Sequence, residues 1–120
     1  MTHSNLSEKS PKLGIKKNNR KRILRLIWER GSISRADTAK KLVLTPATVS
    51  SNVAELVKQK FVRMERTGDS SGGRKPIILE IDDSTLFCIG VCVKKTEVVT
   101  ALVGLKGSVS LKNRISYPLP

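Results

Sequence analysis

Apolar side chains in the first part of the chain recur at helical spacing. Between residue 18 or 19 and Arg30 they form one stripe. Asn19 is a suitable N-cap, and Gly31 is a typical C-terminal stop. We therefore predict a first helix over this stretch, with Trp28 in the core rather than in contact with a partner. The stripe consists of Ile23, Leu24, Leu26, Ile27 and Trp28.

A second, shorter helix is predicted from Arg35 to about Leu42. Ser34 is its N-cap, and Asp37 stands where a capping box needs an acidic side chain. The two residues before the cap, Ser32 and Ile33, can form a linker or a brief strand. Small residues at positions 36 and 39 let another helix approach closely, as the first helix of a helix-turn-helix unit requires.

The third predicted helix has an unusual first half. Thr45 caps it and Pro46 occupies its first position, where the missing N–H costs nothing. Its core positions follow helical spacing at Val49, Val53, Leu56 and Val57. Its other face is short and mostly polar, which suits a helix lying deep in a DNA major groove. The alternative is an exposed helix of poor helix formers. That face comprises Ala47, Thr48, Ser50, Ser51 and Asn52.

Alternating apolar and charged residues then predict a β-hairpin. Its strands lie at residues 61–66 and 77–81, and the residues between them are rich in turn formers. The tip contains Gly72, Gly73, Arg74 and Lys75. Glycine permits close approach of the backbone, and a narrow minor groove attracts arginine. Any hairpin tip can have this composition, but its place directly after three helices favours a DNA-binding wing.

Residues 86–117 predict a three-strand meander, with strands at 86–93, 97–105 and 108–117. An uncovered apolar face is unfavourable, so we expect this sheet to pack on the preceding domain or on a second chain. Cys88 and Cys92 would lie about 13 Å apart on one strand, too far to form a disulfide. We interpret both as buried apolar residues, and we predict no metal site.

Charge indicates the class of partner. The formal net charge is +13 and the pI is about 10.3, which favours nucleic acid first and an anionic membrane second. No apolar run reaches the ~18 residues that a membrane span needs, and the first residues do not resemble a signal peptide. We therefore predict a cytoplasmic, nucleoid-associated protein without a membrane partner. Residues 1–17 are predicted to be a disordered basic arm. Together with the basic segment 16–22, this arm could follow a DNA backbone or enter a minor groove, or it could hang free.

The ordered motifs resemble the N-terminal domain of the ROK family, on its repressor side. The resemblance covers residues 18–81 and implies a winged helix-turn-helix domain. Val43 departs from the family pattern, which has glycine there, and Thr38 stands where Leu or Ile is usual; both substitutions should lower stability. The matching residues include Asn19-Arg20, Gly31-Ser32-Ile33-Ser34-Arg35-Ala36, Leu44-Thr45, Thr48-Val49-Ser50 and Ser71-Gly72-Gly73-Arg74-Lys75-Pro76.

The resemblance continues more weakly into the last third of the chain. Sugar kinases of the family carry an Asp-x-Gly-Gly-Thr phosphate-binding turn at this point. Here Cys92 replaces the aspartate, Lys94 and Lys95 replace the glycines, and only Thr96 is retained. Without a carboxylate or a closely approaching backbone, phosphate transfer has no support. We therefore predict a non-enzymatic protein without a cofactor, in which residues 84–120 form an incomplete actin-like fragment.

The sequence thus predicts an α+β protein with a winged helix-turn-helix domain at residues 18–83. The resemblance implies a repressor of carbohydrate-utilisation genes, binding double-stranded DNA as a homodimer on a two-fold operator, with sugar sensing only in a longer relative. The alternatives are a degenerate sugar-kinase relative and a basic module that binds any nucleic acid. The predicted DNA-binding residues are Lys21, Arg22, Arg35, Thr45, Ala47, Thr48, Ser50, Ser51, Asn52, Gly72, Gly73, Arg74 and Lys75.

Overall fold

The computed structural model describes residues 11–66 and 72–118. The chain forms three helices, a three-strand sheet beside them and a second three-strand sheet. Helix α1 spans Pro11–Arg30, β1 spans Ser32–Ser34, α2 spans Arg35–Leu42 and α3 spans Pro46–Lys58. The remaining strands are β2 (Val62–Arg66), β3 (Ile77–Ile81), β4 (Phe87–Val93), β5 (Glu97–Gly104) and β6 (Val109–Ser116).

Helix α1 is longer than predicted. It begins at Pro11, so the prediction of disorder is wrong for residues 11–17, while residues 1–10 lie outside the described part. Proline is favoured in the first turn of a helix. Once the packed turns around Ile23 and Ile27 exist, each upstream residue adds a hydrogen bond without a new nucleation cost. Helix extension therefore does not need apolar burial at every turn.

The core lies between α1, α3 and the first sheet. Trp28 was predicted to belong to it, but its side chain is 61% exposed. Ile27 occupies the inward position, and the next residue is rotated by about 100° to the flank of the helix. There the Trp28 Nε1 donates a hydrogen bond to the carbonyl oxygen of Leu105, at 3.4 Å. The buried hydrophobic residues are Ile23, Ile27, Ile33, Ala39, Val49, Val53, Leu56, Val62, Leu79 and Ile81.

The first sheet has the antiparallel order β1-β3-β2. The possible brief strand at Ser32–Ser34 is therefore present, and Ile33 pairs with Leu79. The predicted hairpin is confirmed, with strands β2 and β3 in direct register. Across them, Arg63 Nη2 lies 2.6 Å from Glu80 Oε2. This hydrogen bond holds the pKa of the Glu80 carboxyl below its usual range, and the ion pair fixes the base of the hairpin.

Helix α2 has its predicted bounds and cap. The Ser34 hydroxyl accepts from the Asp37 backbone N–H at 3.0 Å. Thr38 is fully buried, but its hydroxyl donates to the Ser34 carbonyl at 2.9 Å, so its polar group is paired. Val43 adopts φ 54° and ψ 48° at the C-cap. This left-handed conformation is unfavourable for a β-branched residue, as expected where glycine is the family pattern.

The second sheet has the order β4-β5-β6, as the predicted meander requires. The expected packing on the preceding domain is limited to the β5–β6 turn, because every residue of β4 and β6 is exposed. Packing on a second chain stays a prediction. Cys88 and Cys92 are likewise exposed free thiols rather than buried residues. Both lie on β4, an edge strand with no layer of structure over it among residues 11–66 and 72–118.

The two parts of the chain meet at a small junction. The Asp83 carboxylate accepts from the Lys106 backbone N–H at 2.7 Å and from the Ser108 hydroxyl at 2.6 Å. These bonds hold the pKa of the Asp83 carboxyl below its usual range. Leu105 packs against the edge of the core. The second sheet is thus joined to the first domain through its β5–β6 turn. None of the described helices is long and apolar enough to cross a membrane.

Candidate nucleic-acid interface

The start of α3 is fixed by its own side chains. Thr45 has extended φ and ψ angles, and its hydroxyl oxygen accepts from the Thr48 backbone N–H at 3.2 Å. The same hydroxyl donates to the Thr48 side-chain oxygen at 2.9 Å. Pro46 occupies the first turn. The predicted cap is therefore confirmed, and it holds the N-terminal backbone N–H groups of α3 at the protein surface.

The outer face of α3 presents a stripe of short side chains. Ala47 and Ser51 are exposed, and Thr48 and Ser50 are half-buried on either flank. Ala54 is exposed one turn later on the same stripe. Ala54 was not among the predicted DNA-binding residues, although its position seven residues after Ala47 is the helical signal that indicates it. We call these five residues the α3 stripe.

Asn52 does not belong to the α3 stripe. The prediction that its side chain faces a partner is wrong, because Asn52 is only 3% exposed. It lies directly before the buried Val53 on the inner side of the helix. Its amide nitrogen donates to the Thr48 carbonyl at 2.8 Å. Its Oδ1 is buried and has no hydrogen-bond partner within the described part of the chain.

A groove runs between α3 and the hairpin. Its volume is about 840 Å³, and it brings together Arg35, Thr45, Ser50, Arg74 and Lys75. We call it the wing groove. Apolar residues of the α2–α3 turn, including Val43, Leu44 and Pro46, complete its walls. The guanidinium and ammonium groups in it form no ion pair within residues 11–66 and 72–118. The wing groove is therefore positively charged and open to solvent.

The hairpin residues Gly72, Gly73, Arg74 and Lys75 beside this groove are all exposed. Gly72 has φ +87°, a conformation that favours glycine. Gly73 follows it, and a Cβ added there would meet no atom within 4 Å. Arg74 and Lys75 lead from these glycines into β3. The remainder of the predicted tip, residues 67–71, lies outside the described part.

Lys21 and Arg22 lie apart from this surface. Arg22 Nη2 donates to the Leu42 carbonyl at 3.0 Å, so its guanidinium closes the C-terminal end of α2. Lys21 lines clefts with Leu24 and Phe61 on the far side of α1. The structure brings neither residue to the α3 stripe.

A second, smaller cleft borders the α3 stripe on the side of α1. Its volume is about 260 Å³, and it is lined by Lys12, Ile15, Lys16 and Asn19 from α1 and by Thr48, Ser51 and Asn52 from α3. We call it the α1 cleft. Lys12 and Lys16 were not among the predicted DNA-binding residues, because both were assigned to a disordered arm that could follow a DNA backbone or hang free. Their spacing of four residues, continued to Ile23 and Ile27, was the available signal.

The predicted remnant of a phosphate-binding turn contains no cluster of metal ligands. Cys92 is exposed on β4, and the Lys94 ammonium lies 2.7 Å from the Glu97 carboxylate. The described residues contain no group of three or more His, Cys, Asp or Glu side chains that could hold a metal ion. The chemistry available at the α3 surface is instead recognition by cations, hydroxyls and backbone N–H groups.

Three helices with a basic hairpin beside the third define a winged helix-turn-helix domain. Residues 17–63 match the family model described as "Winged helix-turn-helix DNA-binding". The chain is 32% identical over 105 residues to a putative xylose repressor of Caldicellulosiruptor sp., covering 88% of this chain and 26% of that protein. It is 34% identical over 97 residues to the xylose repressor of Bacillus subtilis, covering 81% and 25%.

Two further relatives also match most of this chain and about a quarter of their own length. The DNA-binding transcriptional dual regulator NagC of Escherichia coli is 28% identical over 106 residues, which covers 88% of this chain and 26% of the regulator. A crystal structure of a ROK family transcriptional regulator, a homologue of the E. coli MLC protein, superposes with a TM-score of 0.66 at 26% identity. That match covers 86% of this chain and 26% of the solved one.

The resemblance to the ROK family transcriptional regulators is therefore confirmed in sequence and in fold. The chain spans about a quarter of the length of the curated relatives it matches. The family model that matches residues 17–63 is one of winged helix-turn-helix DNA-binding domains.

Proposed function

We propose that this chain is a sequence-specific, double-stranded DNA-binding regulator that represses carbohydrate-utilisation genes. The observation that carries the proposal is the wing groove, in which Arg35, Ser50 and Arg74 lie together beside the exposed start of α3. The names of relatives, a xylose repressor and an N-acetylglucosamine repressor, support the physiological part. The proposed activity is non-enzymatic and needs no cofactor.

In this proposal the α3 stripe enters the major groove. Hydroxyls of Thr48, Ser50 and Ser51 can donate to or accept from base edges, and the Ala47 methyl can contact a thymine methyl. The backbone N–H groups at the helix start favour a phosphate. Short side chains let the helix lie close to the bases, so a single longer side chain should prevent docking.

The cations around the stripe fix the position of the domain. Arg35 at the start of α2 and Lys75 at the wing would bind phosphates, which position the protein without specifying sequence. Arg74, next to two glycines, would enter the adjacent minor groove, where narrow A·T-rich tracts attract arginine. In a homodimer on a two-fold operator, these contacts would repeat at two half-sites separated by a whole number of helical turns. The protein would act in the cytoplasm, at the nucleoid.

The α3 assignment is tested by Ser50→Leu, with Ser110→Leu as its matched control on β6. A duplex enriched by the parent protein from a random-sequence pool serves as the probe. We expect Ser50→Leu to weaken binding at least 100-fold, because several base and phosphate contacts of about 1–3 kcal/mol each are lost, with unchanged circular dichroism. Ser110→Leu should bind like the parent. Equal binding by both variants would contradict the assignment of α3.

The wing assignment is tested by Arg74→Ala, with Lys112→Ala as a control that removes one exposed cation from β6. The enriched duplex is prepared with A·T-rich or G·C-rich flanks. We expect Arg74→Ala to lose about tenfold on A·T-rich flanks and less on G·C-rich flanks, since minor-groove width sets the attraction. Loss of the same factor on both flanks would indicate a phosphate contact rather than a minor-groove contact.

A further inference from the structure

The first two turns of α1 extend beyond the core that the rest of the helix covers. Ile27 and Ile23 are fully buried, and they lie one turn apart on the inward face. The same face continues through Asn19 to Lys16 and Lys12, at spacings of three and four residues. Residues 11–18 are all exposed. The face that is apolar inside the core therefore becomes basic where the helix leaves it.

This basic face borders the α3 stripe. Lys12 and Lys16 line the α1 cleft together with Thr48 and Ser51. The wing groove lies on the other flank of α3, where Ser50 faces the cations of α2 and the wing. The α3 stripe thus has a cationic wall on each side, one supplied by the wing and α2 and the other by α1.

Among the described residues, the basic side chains of α1 differ in whether an acid lies beside them. Residues 11–28 contain seven Lys or Arg side chains and no acid. Arg20 lies 3.9 Å from Glu55, and Arg25 lies 2.9 Å from Glu29. Lys12 and Lys16, by contrast, form no ion pair within the part of the chain that the structure describes.

A solvated helix face is the simpler explanation for any single lysine. It accounts well for Lys17, which lines a cleft with Leu56 and Gln59 beside the far half of α3. It does not account for the placement of Lys12 and Lys16 on the face that leads directly out of the core, where helices ordinarily carry apolar residues.

We infer that Lys12 and Lys16 form a second phosphate clamp, which binds the DNA backbone on the side of α3 opposite the wing. This inference rests on the proposed function and extends it to a surface outside the predicted site. The two side chains are separated by one helical turn, about 6 Å along the axis of α1. Phosphates of one strand recur every 3.4 Å along the DNA axis, so two of them lie within reach of two flexible ammonium groups.

The test compares two double variants that remove the same charge. The clamp variant, Lys12→Gln with Lys16→Gln, removes both ammonium groups of the clamp. The control variant, Lys17→Gln with Lys60→Gln, removes two exposed cations outside it. The probe is the duplex that the parent enriches from a random-sequence pool, titrated at several salt concentrations. Each lost phosphate contact reduces the slope of log Kobs against log salt by about 0.9.

For each half-site, the clamp variant should therefore lower the magnitude of that slope by about 1.8 and weaken binding roughly 30-fold at 0.15 M salt, and a homodimer on a two-fold operator should show about twice that change in slope. The control should change the affinity less than about threefold. Equal changes in the two variants would overturn the inference, because bulk charge would then explain both. A parent that enriches no sequence would overturn the proposed function instead.

A second measurement locates the contact on the DNA. The enriched duplex is shortened base pair by base pair from each end, and parent and clamp variant are titrated on every length. Removing the phosphates that Lys12 and Lys16 bind, which lie at both ends for a homodimer on a two-fold operator, should weaken the parent but not the Lys12→Gln, Lys16→Gln variant, because only the parent uses those phosphates. Equal losses for the parent and the variant at every length would contradict the clamp.

Discussion

The winged domain and the sheet β4–β6 both have complete strand pairing, but they differ in where their apolar side chains lie. Every buried hydrophobic residue that the structure describes precedes residue 82. In the second sheet, Ile89, Leu102 and Leu111 are cross-strand neighbours. Ile89 is 74% exposed and Leu111 is 65% exposed. Backbone pairing can therefore define a sheet whose faces remain uncovered.

This difference bears on function because the proposed DNA contacts depend on the packed region alone. Val49, Val53 and Leu56 bury the inner side of α3, which holds the α3 stripe outward. Leu79 and Ile81 bury one side of β3, which sets the wing beside it. No residue of β4–β6 lines the wing groove or the α1 cleft. The binding geometry is thus maintained by a core that the second sheet does not complete.

The largest expected difference between the two regions comes from the same substitution, isoleucine to alanine, made once in each. Ile27→Ala deletes a fully buried side chain and should lower the free energy of unfolding by about 2–5 kcal/mol. Ile89→Ala deletes an exposed one and should change it by no more than about 0.5 kcal/mol. Urea denaturation followed by circular dichroism measures both. A large loss for Ile89→Ala would show that the second sheet has a covered face in solution.

A smaller effect is expected at the turn between α2 and α3. Val43 has φ 54° and is 90% exposed, so its side chain contributes strain and little packing. Val43→Gly should raise the free energy of unfolding by about 1 kcal/mol, because glycine adopts this conformation without a steric cost. As a control, Val57→Gly within α3 should be destabilising. A neutral or destabilising Val43→Gly would mean that the turn is not strained.

The smallest effect concerns the junction between the two regions. The folded-state pKa of Asp83 is lowered, first by the Lys106 N–H and then by the Ser108 hydroxyl. A lowered pKa means that the stabilisation is complete above the unfolded-state value, about 3.9, and is lost as pH falls through the folded value. The amide resonance of Lys106 should therefore shift in NMR spectra only below about pH 4.

Asp83→Asn should abolish that titration, because it removes the carboxylate that accepts from the Lys106 amide. Asp82→Asn should leave it in place, since Asp82 accepts instead from Ser84. Persistence of the Lys106 titration in Asp83→Asn would show that another group controls the junction.

Local chemistry explains which parts of the fold were predictable. The hydroxyls of Ser34 and Thr45 and the pyrrolidine ring of Pro46 act within one helical turn, so the starts of α2 and α3 follow from neighbouring residues. Alternation of apolar residues likewise predicts β2 and β3. The chemical character of the wing and of the α3 stripe could be predicted in the same way.

Features that depend on tertiary packing were not predictable from these patterns. Asn52 and Trp28 each lie one position from a core residue, at the edge of the buried face of their helix. Whether such a residue is buried, as Asn52 is, or exposed, as Trp28 is, depends on the elements that pack beside it. The exposure of Cys88 and Cys92 depends on what lies over the second sheet, about which strand alternation gives no information. The α1 cleft was not predicted for a related reason. Residues 11–17 contain few apolar side chains and so show no amphipathic pattern, although the helix extends into them from its packed turns.

The central claim is that the α3 stripe and its two cationic walls recognise a DNA sequence. It is tested most directly by titrating the parent with its enriched duplex and with a shuffled duplex of equal composition, across a range of salt. The account predicts at least 10³-fold tighter binding to the enriched duplex, in the range typical of specific complexes, with both affinities falling as salt rises. Equal affinities that fall together with salt would contradict it and would indicate a basic module without sequence preference.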